Sequence, residues 1–263
     1  MPAHPPPIRM HIPRLPAATA LLVAANVAVW LLQVASGVAP LHPPSPSLIA
    51  WGGDVPLLTL TGDTWRLFTA MFLHGGAGHL AMNMLALAFT ATRTQDEYGT
   101  ARMLVIYLVG GVLASCATVR ANLHDPAGLV TVSVGASGAI MAQFGALLAA
   151  LVIVPPRFAH LPPDKRPGID QGLIQVVVMN VALGFIVPHV DQAAHLGGLF
   201  GGMVLGAVMA AVPTATNARA AVARYVVAAL LLTACVSALL HGAPRQQLMV
   251  QRVLWVGHQG VLR

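Results

Sequence analysis

The stretch Ser133-Val134-Gly135-Ala136-Ser137-Gly138-Ala139-Ile140 is a run of small residues that ends a loop and opens a long apolar segment. Ser137 stands where a helix would begin. A serine among glycines can act as a nucleophile, because no bulky neighbour blocks an approaching carbonyl and the backbone N–H groups are accessible. Serine is also among the best helix N-caps. Taken alone, the stretch favours a helix cap, so the rest of the chain must decide its role.

The composition of the chain is that of an integral membrane protein. Of its 263 residues, 57% are hydrophobic and only 8% are charged, whereas soluble domains carry about a quarter charged residues. So few charges cannot cover a water-facing surface. The net charge of +6 does not indicate nucleic-acid binding, because the basic residues are scattered singly at the ends of apolar segments.

The predicted fold class is an all-α, polytopic membrane protein with six spans and a seventh, C-terminal one. A Pro-rich segment, 1–16, is expected to be a flexible cytoplasmic tail. A six-helix unit follows at 17–212, the extra span lies within 213–241, and 242–263 is a C-terminal tail. The predicted spans are 17–38, 78–92, 103–119, 137–154, 172–187, 192–212 and 225–240.

Two features outside the spans have ordinary structural interpretations. The connection 40–66 mixes Leu, Ile and Trp with few charges, so we expect it to lie partly in the membrane interface. Cys116 and Cys235 lie in separate apolar segments and are interpreted as small core residues, because their spacing fits neither a metal nor a redox site. We expect no metal and no cofactor.

The predicted topology puts three groups of polar side chains at one depth. With a cytoplasmic N-terminus, the second, fourth and sixth spans begin on the outer side. His79 and Asn83 share one face at the start of the second span, Ser137 starts the fourth, and His195 lies near the start of the sixth. All but two of the basic residues before the C-terminal tail then fall on the inner side, as the positive-inside rule requires.

The sixth span combines a stripe of small residues with a histidine. Gly198 and Gly202 continue a four-residue spacing that runs from Ala194 to Gly206, which lets another backbone approach closely. An ionisable side chain at membrane depth, such as His195, is costly and by default marks a functional site. A lone histidine would be interpreted as a core residue. With a serine at the same depth, a Ser–His pair is favoured.

Together these residues resemble the rhomboid family of intramembrane serine proteases. The resemblance covers roughly 15–212, and its five pieces follow in order along the chain: Trp65-Arg66, His74, His79-x-x-x-Asn83, Gly135-Ala136-Ser137-Gly138 and Ala194-His195-x-x-Gly198-x-x-x-Gly202. It implies that Ser137 is the nucleophile and His195 the general base, with an oxyanion hole formed by His79, Asn83 and the Ser137 backbone N–H.

The resemblance also implies a substrate class. The substrates would be transmembrane proteins cut near the outer ends of their spans, with small residues at the cut and helices that unwind easily. Gly and Pro weaken a substrate helix and expose its amides. The segment 40–66 and the fifth span are then candidates for shaping substrate access.

Three positions bear on how His195 is held. Asp191, four residues earlier, could approach it on the same helix face, but an interfacial aspartate is favoured because the family is understood to work with a dyad. Met141, one turn after Ser137, stands where the family often has an aromatic residue stacked on the histidine, and methionine holds a ring less rigidly. Phe144 follows one turn later and is a weak candidate to replace it.

Two other function classes stay open. A catalytically inactive relative that binds membrane clients would usually lack the serine or the histidine, and this chain has both. A small transporter would place polar residues on several spans at the bilayer centre, where only Asn180 stands, interpreted as an interhelical hydrogen-bonding residue. The short loops favour a bacterial inner membrane as the location, and the oligomeric state is left open.

Overall fold

The computed structural model describes residues 15–153, 174–175, 177–182, 190–210 and 218–259. Within these ranges the protein is an all-α bundle, as predicted, and β-pairing is limited to one isolated bridge between Asp54 and Ser133. In chain order the helices are α1 (Ala17–Ala35), α2 (Ser45–Ala50), α3 (Pro56–Leu60), α4 (Arg66–Thr69), α5 (Ala77–Tyr98), α6 (Thr100–Ala121), α7 (Ser137–Ile153), α8 (174–175 and 177–182), α9 (Gln192–Ala210), α10 (Ala218–His241) and α11 (Arg245–Gln259).

Four of the described helices are long and apolar enough to cross a membrane. They are Ala17–Ala35, Thr100–Ala121, Gln192–Ala210 and, within α10, Val222–His241. Helix α7 is a shorter apolar helix, and α5 ends in a polar turn. The seven predicted spans correspond to α1, α5, α6, α7, α8, α9 and α10, of which α8 is described only in part.

Glycines with positive φ separate the central helices. Gly76 (φ 123°) precedes α5, and Gly99 (φ 82°) is the single residue between α5 and α6. Glycine adopts this conformation without the steric penalty that a Cβ would bring. The chain can therefore reverse direction within one residue and pack α6 antiparallel to α5.

Helix α7 is the centre of the bundle, and almost all of its described side chains are buried. Helix α9 packs along it, α6 contacts both, and α5 covers another side. The contact with α9 is backbone to backbone: a Cβ on Gly202 would meet the Ala142 carbonyl, and one on Gly198 would meet the Gly138 carbonyl. The small-residue stripe of α9 therefore faces α7, where close packing replaces the hydrophobic effect as the source of association.

The connection between α1 and α5 is more buried than its predicted interfacial position suggested. Leu57, Leu58 and Leu60 belong to one apolar cluster with side chains of α6, α10 and α11, and both cysteines lie in or against that cluster. The connection therefore packs against the bundle.

Two terminal predictions have different outcomes. The segment 242–263, predicted only as a tail, contains α11, whose Leu248 is buried and whose Trp255 packs against the same apolar cluster. The helix forms because it has a surface to dock on, which a local pattern cannot reveal. The N-terminal tail, 1–16, lies outside the described residues apart from its last two.

Candidate active site

Ser137 begins the central helix. The preceding turn depends on Gly135 (φ 129°), whose N–H donates to the Ala70 carbonyl over 3.0 Å. At a helix start the first N–H groups have no intrahelical acceptor and the helix dipole is positive. Ser137 is half-buried. Its hydroxyl therefore lies beside the first backbone N–H groups of α7 and stays partly accessible.

His79 lies across Gly135 from the serine. A Cβ built on Gly135 would be 2.9 Å from His79 Nε2 and 3.8 Å from Ser137 Oγ. The Gly75 N–H donates to His79 Nδ1 over 3.2 Å, so the neutral ring carries its proton on Nε2. The imidazole therefore presents an N–H donor towards the loop that carries Ser137, and the absent side chain of Gly135 leaves the space between them open.

Asn83 and His74 surround His79. The Asn83 Nδ2 donates to the His79 carbonyl over 2.9 Å, which leaves its second N–H for another acceptor. The rings of His74 and His79 pack edge to face with centroids 5.3 Å apart. Burial, and then the charge of His79, lower the pKa of His74 to about 3, so His74 is neutral at physiological pH and adds no positive charge here.

His195 is brought to the same end of the bundle. It is 8% exposed and sits one turn into α9, directly after Ala194. The start of α9 contacts the start of α7, since a Cβ on Gly138 would lie 3.7 Å from the Ala194 carbonyl oxygen. Among the described residues, His195 Nδ1 has no hydrogen-bond partner.

Asp191 caps helix α9 and is not hydrogen-bonded to His195 Nδ1. Its Oδ2 accepts from Thr118 Oγ1 (2.7 Å) and Ser133 Oγ (2.6 Å), while Oδ1 accepts from the Ala194 N–H (2.9 Å). One carboxylate therefore joins the end of α6, the loop before Ser137 and the start of α9. The capping position was readable from the sequence, but the two hydroxyl donors lie 58 and 73 residues away along the chain.

Replacing Asp191 tests this connection. Asp191→Ala removes a helix cap and leaves two hydroxyls without their acceptor, so we expect the free energy of unfolding to fall by about 2 kcal/mol or more. Asp191→Asn keeps the capping oxygen and should retain most of that stability. Denaturant unfolding in detergent measures both. Equal losses in the two variants would contradict the capping role.

The other predicted site residues lie at different distances from Ser137. Met141 and Phe144 are buried in the core cluster of α7, with Leu199 of α9, and a Cβ on Gly198 would lie 3.3 Å from Met141 Cβ. Met141 therefore packs on the turn that follows His195, whereas Phe144 lies a turn deeper.

The Trp65-Arg66 pair organises the connection between α1 and α5. The Arg66 guanidinium lies 4.5 Å from the centre of the Trp65 ring, and its Nη1 donates to the carbonyls of Ile49 (2.7 Å) and Gly53 (2.9 Å). Its Nη1 donors are thus occupied by backbone oxygens within the connection itself. The pair holds that segment in shape and does not contact the serine.

Asp54 is a buried carboxyl that the sequence did not single out. It accepts a hydrogen bond from Thr59 and pairs with the backbone of Ser133 through two N–H···O bonds of 3.0 and 2.8 Å. Burial raises the pKa of Asp54 to about 7; the negative charge of Asp191 adds to this, while Thr59 and Arg66 oppose it. The bridge connects the α1–α5 segment to the loop that leads into Ser137.

The raised pKa predicts a pH dependence. Because the folded protein holds this proton more tightly than the unfolded chain, the contribution of Asp54 to stability is greatest below pH 4 and is lost as pH rises towards 7. Asp54→Asn should therefore be more stable than the wild type at pH 8, by a few kcal/mol at most, with the difference shrinking at pH 5. Unfolding at both pH values, with exposed Asp125→Asn as control, measures this. A larger advantage at pH 5 would overturn it.

Among the residues that the structure describes, no cluster of three or more His, Cys, Asp or Glu side chains could hold a metal ion. The candidate site consists of Ser137, His79, His195 and Asn83.

Comparison with known proteins adds independent information. The Rhomboid domain model matches residues 61–212. The chain is 35% identical over 206 residues to RHOMBOID-like protein 1 of Arabidopsis thaliana, covering 76% of this chain and 49% of that protein. It is 32% identical to Rhomboid protease GluP of Bacillus subtilis (strain 168), over 74% of this chain and 35% of that protein. It is also 32% identical to Rhomboid protease AarA of Providencia stuartii, over 75% of this chain and 74% of that protein. The chain thus spans half or less of the first two relatives and most of the third.

Proposed function

This chain belongs to the rhomboid family, and we propose that it is an intramembrane serine endopeptidase in which Ser137 attacks the scissile carbonyl and His195 acts as general base. The observation that carries the proposal is the meeting of Ser137, His79 and the start of α9 at one end of the bundle. Two of its relatives are named proteases. The six-helix part, 17–212, is the catalytic domain in this proposal.

The proposed nucleophile needs a base, because a hydroxyl is a poor nucleophile at neutral pH. Histidine suits this role, since its ordinary pKa lies near the working pH. His195 takes the Ser137 proton as the bond to carbon forms and later gives it to the leaving amine. With no carboxylate of the described residues bound to its Nδ1, His195 acts in this proposal as one half of a dyad, and the packing of Met141 on the next turn keeps its helix close to α7.

In this proposal the oxyanion is stabilised by donors from α7 and α5. The free N–H groups at the start of α7 and the Nε2–H of His79 face the serine loop, and the second N–H of Asn83 completes the set. Such preorganised donors are each worth about a hundred- to a thousandfold in turnover. The left-handed turn at Gly135 keeps side chains out of the space where the oxyanion forms.

Depth in the membrane accounts for the substrate class. In this proposal Ser137, the first residue of α7, lies near the outer end of the membrane and within reach of water, with the N-terminus cytoplasmic. Substrates are transmembrane segments cut near their outer ends. A bacterial inner membrane is the proposed location.

The experiment combines cleavage with covalent labelling. Purified protein in proteoliposomes is given a single-pass substrate with small residues near its outer end, and separately a fluorophosphonate probe that reacts with activated serines. We expect cleavage, and probe attached to the peptide containing Ser137. Probe on another residue would contradict the mechanism. Stable capture of the substrate with no cleavage and no labelling would instead indicate a client-binding protein, whereas ion or solute flux without either would indicate a transporter.

A further inference from the structure

The C-terminal helix α11 is fastened to the segment between α1 and α5 by one arginine. Arg252 Nη2 donates to both carboxylate oxygens of Asp63, at 3.1 and 3.2 Å, and its Nη1 donates to Thr61 Oγ1 at 3.0 Å. One guanidinium nitrogen thus bonds the carboxylate while the other bonds the Thr61 hydroxyl, and two fixed nitrogens set the orientation of the contact as well as its distance. Both side chains are about three-quarters buried, at 27% and 23% exposure, so the pair is shielded from full solvent screening.

Asp63 also contacts the Trp65-Arg66 pair. Its Oδ2 also accepts from Arg66 Nε at 3.2 Å, and Arg66 in turn holds the carbonyls of Ile49 and Gly53. The carboxylate therefore lies between two guanidinium groups, one from α11 and one from the connection. If Arg252 were removed, Asp63 Oδ1 would lose its arginine donor, while Oδ2 would keep the bond from Arg66 Nε.

An apolar contact runs beside the ion pair. Leu248 of α11 and Leu239 of α10 are buried in the cluster that contains Leu57, Leu58 and Leu60 of the connection. Helix α11 therefore docks through leucine packing and one oriented arginine, whereas the exposed Arg245 stands at its first position.

The location of α11 follows from the path of α10. Arg102 at the start of α6 and Arg224 near the start of α10 both donate to the Met209 carbonyl at the end of α9, at 3.3 and 3.4 Å. That end of the bundle is opposite to the one where α7 and α9 begin. Helix α10 therefore runs back across the bundle, and α11 docks on the connection that is bridged to Ser133.

We infer that α11 is a clamp on the site side of the membrane, and that Arg252 and Asp63 are positioning residues for the α1–α5 connection and, through it, for substrate access. The part about access rests on the proposed function; the part about docking and sidedness does not. This clamp also gives a reason for a basic residue on the outer side, where the positive-inside rule disfavours one, because Asp63 neutralises Arg252.

Hydrogen exchange tests the docking. In purified Arg252→Ala, backbone amides of 57–63 and of 245–259 should exchange about five- to tenfold faster, because the local opening free energy of both segments falls together. Arg245→Ala removes the same charge from the same helix and should leave both segments unchanged. Arg252→Lys should be intermediate, since lysine has one nitrogen and cannot bind Asp63 and Thr61 with two separate nitrogens as arginine does. Unchanged exchange at 57–63 in Arg252→Ala would overturn the clamp.

Sidedness is tested with single cysteines in a Cys116→Ala/Cys235→Ala background. The test uses sealed vesicles of known orientation and a membrane-impermeant maleimide. Gly257→Cys, a position with open space around its Cβ, should be labelled from the same side of the membrane as exposed Leu41→Cys. Exposed Thr100→Cys should be labelled from the other side. Labelling of position 257 together with position 100 would overturn the assignment.

The effect on function is separated from chemistry by two readouts. In Arg252→Ala we expect KM for a transmembrane substrate to rise about three- to tenfold while kcat and the rate of fluorophosphonate labelling change less than about twofold, because Ser137 and His195 keep their contacts. A fall in kcat and in labelling with KM unchanged would overturn the positioning role. If the wild type is neither active nor labelled, the proposed function fails. The hydrogen-exchange and cysteine-labelling results still test the docking and sidedness of α11, because neither needs activity.

Discussion

Ser137→Ala is expected to lower kcat for a transmembrane substrate by at least about 10⁴-fold, because in the proposed mechanism Ser137 forms the acyl-enzyme. His195→Ala should cost a similar factor, since an unassisted hydroxyl does not attack an amide at neutral pH. The double variant should be no worse than either single one, because the two residues act as a unit. Initial rates in proteoliposomes at saturating substrate measure these losses.

The controls separate chemistry from folding. Ser237→Ala removes a hydroxyl from the half-buried face of α10 and should leave kcat unchanged. Ser137→Ala itself should unfold at close to the wild-type denaturant concentration, because Ser137 is the first residue of α7 and alanine is a good helix former. Cleavage that persists in Ser137→Ala at more than about a tenth of the wild-type rate would refute the mechanism.

Gly202→Ala is expected to destabilise the bundle by about 3 kcal/mol or more, since overpacking at a rigid contact is costly. A Cβ at this position would meet the carbonyl and Cα of Ala142 far inside van der Waals contact. Both groups are backbone, so neither can rotate away, and α7 and α9 would have to separate. Because His195 and Ser137 lie on these two helices, activity should fall with stability. Unfolding in detergent and cleavage in proteoliposomes measure the two effects.

Gly201→Ala is the matched control on the same helix. A Cβ there would approach Leu113 Cδ1 at 3.2 Å, and the end of a leucine side chain can move by the few tenths of an ångström required. Alanine is also the better helix former, by about 1 kcal/mol. We therefore expect Gly201→Ala to be within about 1 kcal/mol of the wild type. Equal destabilisation by both substitutions would show that the contact with α7 is not specific.

The sequence by itself determined the class of the fold, the order of the spans and the candidate residues. Too few charges to cover a soluble surface and apolar segments of bilayer length require a helical membrane bundle, since unpaired backbone groups are not tolerated in lipid. Helix starts were predictable for a local reason: Ser137 follows a small-residue turn, and Gly76 comes directly before α5. The family resemblance came from motifs of only a few residues each, and the match to residues 61–212 bears it out.

Only the tertiary structure decided how distant side chains combine. The two hydroxyl donors to Asp191, the bridge between Asp54 and Ser133, and the contact between Arg252 and Asp63 join residues from separate elements. None of them leaves a periodic or local signal, because a hydrogen-bonding side chain looks the same in sequence whether it meets water or a partner from another helix. Helix α11 was missed for the same reason: its stability comes from the surface it docks on. The Ser137 turn was local and predictable, whereas the groups that hold it in place had to be assembled in three dimensions.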